Sequence, residues 1–110
     1  MVSVSVRYDA TKDAFILKND NGYIELYRET VKGLHYMSHV LDNIEEFIAE
    51  QPEFVDPELR RKVEEQCDFN FNEIKEIMLQ DIVESKYNTE EEAMTAVWTE
   101  LVKTPLEQLK

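Results

Sequence analysis

Residues 2 to 8, "VSVSVRY", alternate apolar and polar positions. Val2, Val4, Val6 and Tyr8 share one face, and Ser3, Ser5 and Arg7 the other. Period-two alternation with β-branched residues predicts a half-buried strand. "DATKD" reads as a turn, and the short apolar run "AFILKN" as a second strand. "NDNG" at 19 to 22 ends in Asn-Gly, the pair that a tight hairpin uses to reach positive φ. "YIELYR" follows, with Ile24 and Leu26 on one side and Tyr23 and Tyr27 on the other. The pattern predicts a three-stranded antiparallel meander over 2–28.

The period changes near Thr30. Leu34, Met37, Val40, Leu41, Ile44, Phe47 and Ile48 recur in steps of three and four, which predicts one amphipathic helix from about 30 to 50. Pro52 follows its end. Asp56 can cap a second helix that has Pro57 at its first position and Leu59, Val63 and Cys67 as its stripe. "CDFNFNE" interrupts, because Asp and Asn compete for backbone hydrogen bonds. Asn70 with Glu73 forms a capping pair that restarts a helix, carried by Ile74, Ile77, Met78 and Ile82 to about Lys86. Thr89 and Glu92 make a capping box for the next helix, whose apolar residues are Met94, Val97, Trp98 and Leu101. "TPLE" repeats the cap-plus-proline signature and predicts a short terminal helix from Pro105. Strands followed by four to five helices, without βαβ alternation, imply an α+β fold with the helices on one face of the sheet. No repeat or linker divides the chain, so residues 1–110 are expected to form a single domain, a meander at 2–28 and a helical part at 30–110.

Charge adds what periodicity cannot. The net charge is −12 over 110 residues. Residues 1–34 are balanced, and the whole excess falls in residues 35–110. Such a surface repels phosphate backbones and anionic lipid. Direct nucleic-acid binding and a membrane partner are therefore disfavoured, and a basic protein partner, itself able to bind nucleic acid, is favoured. No window approaches the roughly 18–20 apolar residues of a membrane span, and the N-terminus lacks a signal-peptide core, so a cytoplasmic location is expected.

The acids fall in three clusters: Glu45, Glu46, Glu50, Glu53, Asp56 and Glu58; then Glu64, Glu65, Asp68, Glu73, Glu76, Asp81 and Glu84; then Glu90, Glu91 and Glu92. The bland reading is solubility; the sharper one is a docking face. Duplex DNA carries one charge per roughly 1.7 Å, whereas acids every three or four residues on one helix give one per roughly 5 Å. A nucleic-acid mimic would need several helices.

Chemistry is sparse. His35 and His39 lie one helical turn apart, with Asp42 and Glu46 continuing their stripe. That set is a weak candidate for metal binding. The wheel puts it opposite the apolar arc, on the wet side, and "HYMSH" lacks the glutamate of HExxH. Cys67, the one cysteine, sits on an apolar stripe and is expected to be buried and inert. "KNDNG" matches half a calcium loop without the terminal glutamate, and is read as a turn. With Gly22 and Gly33 as the only glycines, there is no phosphate-binding loop. No catalytic set and no cofactor are expected. Tyr23 and Tyr27 are expected to cover the core edge or to pair with Tyr8; an open face would instead be a contact patch.

These features lead to an expected non-enzymatic acidic binding protein that docks on a basic partner. Its size and charge are like those of phage inhibitors, immunity proteins and antitoxins, an analogy without a shared motif. The alternative is a structural or oligomeric module, such as a homodimer using Tyr23, Tyr27 and spare apolar surface at Trp98. A metal protein using His35 and His39 is the third class.

Overall fold

The computed structural model describes residues 5–33, 36–67 and 70–108. Strands β1 (Ser5–Asp9), β2 (Ala14–Asn19) and β3 (Gly22–Tyr27) form an antiparallel sheet in the order β1-β2-β3. The helices follow: α1 (Arg28–Val31), α2 (Tyr36–Glu50), α3 (Pro52–Val55), α4 (Pro57–Gln66), α5 (Phe71–Val83) and α6 (Glu90–Trp98). A π-helical stretch, Thr99–Lys103, joins α6 to α7 (Thr104–Gln108). The architecture is the expected α+β arrangement.

The register decides which strand residues enter the core. Tyr8 pairs with Phe15 and Phe15 with Leu26, so all three share a face. Tyr8 and Phe15 are buried there among Met37, Leu41, Ile44, Ile74 and Met78. Helix α5 is the central support. It packs on β1, α2 and α6, and its Glu76 Oε1 accepts a 2.8 Å hydrogen bond from the backbone N–H of Ala10, just beyond β1.

Trp98 closes the other end of the core. It is 1% exposed, stacked near Phe71 at 6.2 Å and edge-on to Phe47 at 6.4 Å. It is therefore a core residue and not spare helix surface. The interior explains why: an indole buries a large apolar area, and its N–H finds a partner in Glu53 Oε2 at 3.3 Å.

The caps read from the sequence are in place. Asp56 Oδ1 accepts from the N–H groups of Glu58 and Leu59, Asn70 Oδ1 from Glu73 N–H, and Thr89 Oγ1 from Glu92 N–H. The boundaries differ in four places. The expected helix over 30–50 is two helices, because Gly33 takes a left-handed φ of 82° that a continuous helix forbids. Pro52 does not merely follow a helix; it opens α3, where its fixed φ suits a first turn. Helix α5 stops at Val83, and Ser85 has φ 55°. The terminal helix is not a fresh start at Pro105 but the continuation of α6 through the π-helical stretch. Thr104 N–H bonds to Thr99 O, five residues back. The wider turn takes up the missing donor and ring bulk of Pro105.

At the β2–β3 turn, positive φ falls on Gly22 alone, at 143°. Asn21 keeps a negative φ. Instead Asn19 Oδ1 accepts a 2.8 Å bond from Asn21 N–H, an Asx turn that shapes the loop. Cys67 is the C-cap of α4 and only half-buried, because the helix ends at the point where its stripe would have carried the thiol inward.

Candidate functional site

The acids of the helical part separate into two kinds once placed. Glu45 is structural. It takes hydrogen bonds from Arg28 Nη2 and from Lys75 Nζ, the latter at 3.0 Å. Arg28 also bonds Asp42, and Asp13 lies 3.7 Å away. The Arg28 hydrogen bond, opposed by partial burial and aided by Lys75, holds the Glu45 carboxyl below its ordinary range. This cluster ties the meander to α2 and α5. Tyr8 donates its hydroxyl to Asp13 in the same region, and burial followed by that bond pushes the phenol above its usual range.

Glu53 and Glu76 also turn inward, on Trp98 Nε1 and Ala10 N–H respectively. Glu64, Glu65, Asp81 and Glu84 are on the surface but engaged: with Arg60 at 3.3 Å, Arg61 at 4.0 Å, and Lys86 at 3.2 and 3.6 Å. Glu73 supports the Asn70 cap. Asp68 lies outside the described residues.

Glu46, Glu50, Glu91 and Glu92 are different. They are exposed and have no ion-pair partner among the described residues. Glu46 and Glu50 lie on the outer stripe of α2, because Met37, Val40, Leu41, Ile44 and Ile48 take the inner one. Glu91 and Glu92 occupy the first turn of α6, where the helix dipole favours carboxylates. Helices α2 and α6 both pack on α5 and touch each other through side chains at two points. Tyr36 Oη reaches Glu90 Oε2 at 3.5 Å near their starts, and Phe47 meets Trp98 near their ends. Glu46 and Glu50 thus lie toward the end of α2 and Glu91 and Glu92 at the start of α6, two acidic groups on helices that share α5 as their support. Sequence reasoning grouped acids by their order in the chain; the spatial grouping depends on which helices pack, and no local pattern encodes that.

His39 is exposed on the same stripe of α2. His35 lies outside the described residues, so the pair is not described as a site. Among the described residues no group of three or more His, Cys, Asp or Glu is placed to hold a metal ion. No described helix is long and apolar enough to cross a membrane.

A second surface, on the sheet, carries exposed aromatic rings beside the paired charges of Lys12 and Glu25. Tyr23 is 65% exposed and Tyr27 49%. Tyr23 pairs with Lys18 and Tyr27 with Ala14 across the strands, on the face away from Tyr8. The two tyrosines therefore neither cover the core edge nor pair with Tyr8. No helix covers their face because the helices all lie on the other side, where Tyr8 and Phe15 are buried.

Two concavities complete the surface. A cleft of about 600 Å³ is lined by Pro52, Glu53, Leu59, Lys62, Lys103 and Leu106, among others. Its two lysines face two carboxylates, Glu53 and Glu107, so its charge is balanced. A smaller pocket of about 370 Å³ lies beside the start of α6, with Tyr36, Tyr87 and Glu90 in its wall. No family model matches the chain, and no curated protein or solved structure is significantly similar to it.

Proposed function

We propose that this is a non-enzymatic acidic binding protein, acting in the cytoplasm, whose α2–α6 surface docks on a basic protein and blocks or regulates it. One observation carries the reading. The bases of the helical part are largely engaged: Arg60, Arg61, Lys75 and Lys86 each hold a carboxylate of this same chain. Glu46, Glu50, Glu91 and Glu92 are left without one. An unneutralised acidic face steers a basic partner and competes with its anionic ligands. A partner that normally holds nucleic acid fits this chemistry, and the protein then acts as a mimic of the phosphate backbone.

The test is capture of partners by the immobilised full chain at graded salt, beside a Glu46→Lys/Glu50→Lys/Glu91→Lys variant. The reading expects a basic protein that the wild type retains at low salt and releases at high salt, and that the variant fails to retain. Retention only of non-basic partners, insensitive to salt and to the reversal, overturns it.

The open sheet supports a second reading, a homodimer through β3. Residues 5–28 hold equal numbers of acids and bases, so two copies can meet there with less repulsion than anywhere on the helices. Tyr23 and Tyr27 supply the apolar area.

A further inference from the structure

We propose that the pocket between α2 and the start of α6 is a socket for one guanidinium group of the basic partner. The inference rests on the acidic docking reading and names the contact that would anchor it.

Three observations converge on this pocket. First, Glu90 Oε1 is a buried oxygen without a hydrogen-bond partner among the described residues. Its sister Oε2 has only Tyr36 Oη, at 3.5 Å. A carboxylate oxygen withdrawn from water without a donor is costly, and a native structure resolves it with a water, an ion or a ligand. Second, two phenol rings line the same pocket, Tyr36 and Tyr87. They are 63% and 38% exposed, more than a core role needs. Aromatic faces beside a carboxylate attract planar cations, arginine above lysine. Third, among the described residues no base is paired with Glu90. Lys86, the nearest in sequence, is turned to Asp81 and Glu84.

The dimensions suit one side chain. About 370 Å³ lies at the low end of the roughly 300–1,000 Å³ typical of small-ligand sites. The rest of the wall adds hydroxyl and amide groups from Ser85, Asn88 and Thr89, which can accept the remaining guanidinium N–H groups. A guanidinium offers five donors and no acceptor, so it satisfies Glu90 and these oxygens together. The acids of the first turn, Glu91 and Glu92, outweigh the partial positive charge of the α6 N-terminus. Ring movement gives access, since Tyr36 is exposed and held only at the outer limit of a hydrogen bond.

The probe is N-acetyl-arginine methylamide, titrated into the full chain and followed by NMR of the tyrosine rings and backbone. Its neutral control is the N-acetyl-citrulline methylamide of nearly the same shape. Expected are saturable shifts centred on Tyr36, Tyr87 and Glu90, with citrulline binding about tenfold weaker. Glu90→Gln is expected to weaken the arginine probe about tenfold, the effect of one lost charge-assisted contact. Tyr87→Ala, at an exposed position, is the second variant if Glu90→Gln alters the fold. Equal binding of the two probes overturns the proposal, as do shifts spread over all exposed acids or an unaffected Glu90→Gln variant. The outcomes separate from those of the docking reading. A partner captured through Glu46, Glu50 and Glu91 but indifferent to Glu90→Gln removes the socket and keeps the docking face. Arginine binding without capture of any basic protein keeps the socket and removes the docking face.

Discussion

Arg28 is the residue whose loss should tell most about how the sheet is held to the helices. Its side chain is 16% exposed, and it joins Asp42 and Glu45 of α2 while Asp13 of the hairpin stands 3.7 Å away. Arg28→Met keeps the apolar stem and removes the fork. Two charged hydrogen bonds in a buried site would be worth roughly 1.5–3 kcal/mol each. Asp42 is 51% exposed and Glu45 37%, so solvent screening brings each nearer the roughly 0.2–1 kcal/mol of exposed pairs. Lys75 remains to hold Glu45. A net loss of about 2 kcal/mol at pH 7 is expected, or roughly 8 °C in Tm at about 4 °C per kcal/mol for a chain of this size. The pH dependence carries a sign. The carboxyl of Glu45 is held below its ordinary range, chiefly by the Arg28 hydrogen bond. Its contribution is therefore complete above the unfolded glutamate value, near 4.3, and is lost as pH falls through the lower folded value. The difference between wild type and variant should shrink between pH 5 and pH 3. Urea unfolding at both pH values, followed by the fluorescence of Trp98, measures it. A difference that stays constant across that range would show that Arg28 acts by packing alone and would refute the ion-pair account.

Two further substitutions probe the core and a cap. Trp98→Phe removes the donor to Glu53 and part of a 1%-exposed side chain; a loss of about 3 kcal/mol is expected from the cavity and the stranded carboxylate together, read by urea unfolding with far-ultraviolet circular dichroism. Thr89→Ala deletes the oxygen that accepts Glu92 N–H at 3.1 Å and should cost about 1 kcal/mol, with Thr89→Ser restoring most of it in thermal melts.

The strands and caps were legible because their signals are local. Alternation over Ser5 to Tyr8 (Val2, Ser3 and Val4 lie outside the described residues), the Asn-Gly pair and the Asp56, Asn70 and Thr89 caps each act within a few residues. Gly33 shows where local reading stops. The apolar spacing runs through it from Val31 to Met37, and only the backbone angle reveals the break. The π-helical stretch before Pro105 is similar: proline predicts a stop, but the helix widens instead because Val102, wholly buried, anchors that turn in the core. The roles of the acids were least legible. Glu45, Glu53 and Glu76 look like their exposed neighbours in composition, yet each meets a donor from an element distant in sequence: Arg28, Trp98 and Ala10. The exposure of Tyr23 and Tyr27 is hidden from the sequence for the same reason. Alternation sets which face they take, but whether anything covers that face depends on where the helices land.

Salt should separate the two binding readings, because they depend on it in opposite directions. The molecule measures 49 × 27 × 23 Å. At about 0.01 M salt the screening length is roughly 30 Å, so nearly every charge of one copy is felt by a second; at about 0.15 M it is roughly 8 Å, and only groups near the contact count. Two copies meeting through the neutral β3 face still bring a charge of −12 each to the encounter. Added salt relieves that repulsion and should strengthen a homodimer. A basic protein on the α2–α6 face is drawn by the same charges, and added salt should weaken it. Light scattering of the purified protein across this range, repeated with Tyr23→Ser/Tyr27→Ser, tests the first. A mass that rises with salt in the wild type but not in the variant assigns the sheet to self-association. A monomer at every salt concentration removes the homodimer and leaves the acidic face as the surface whose charge has no other use within the molecule.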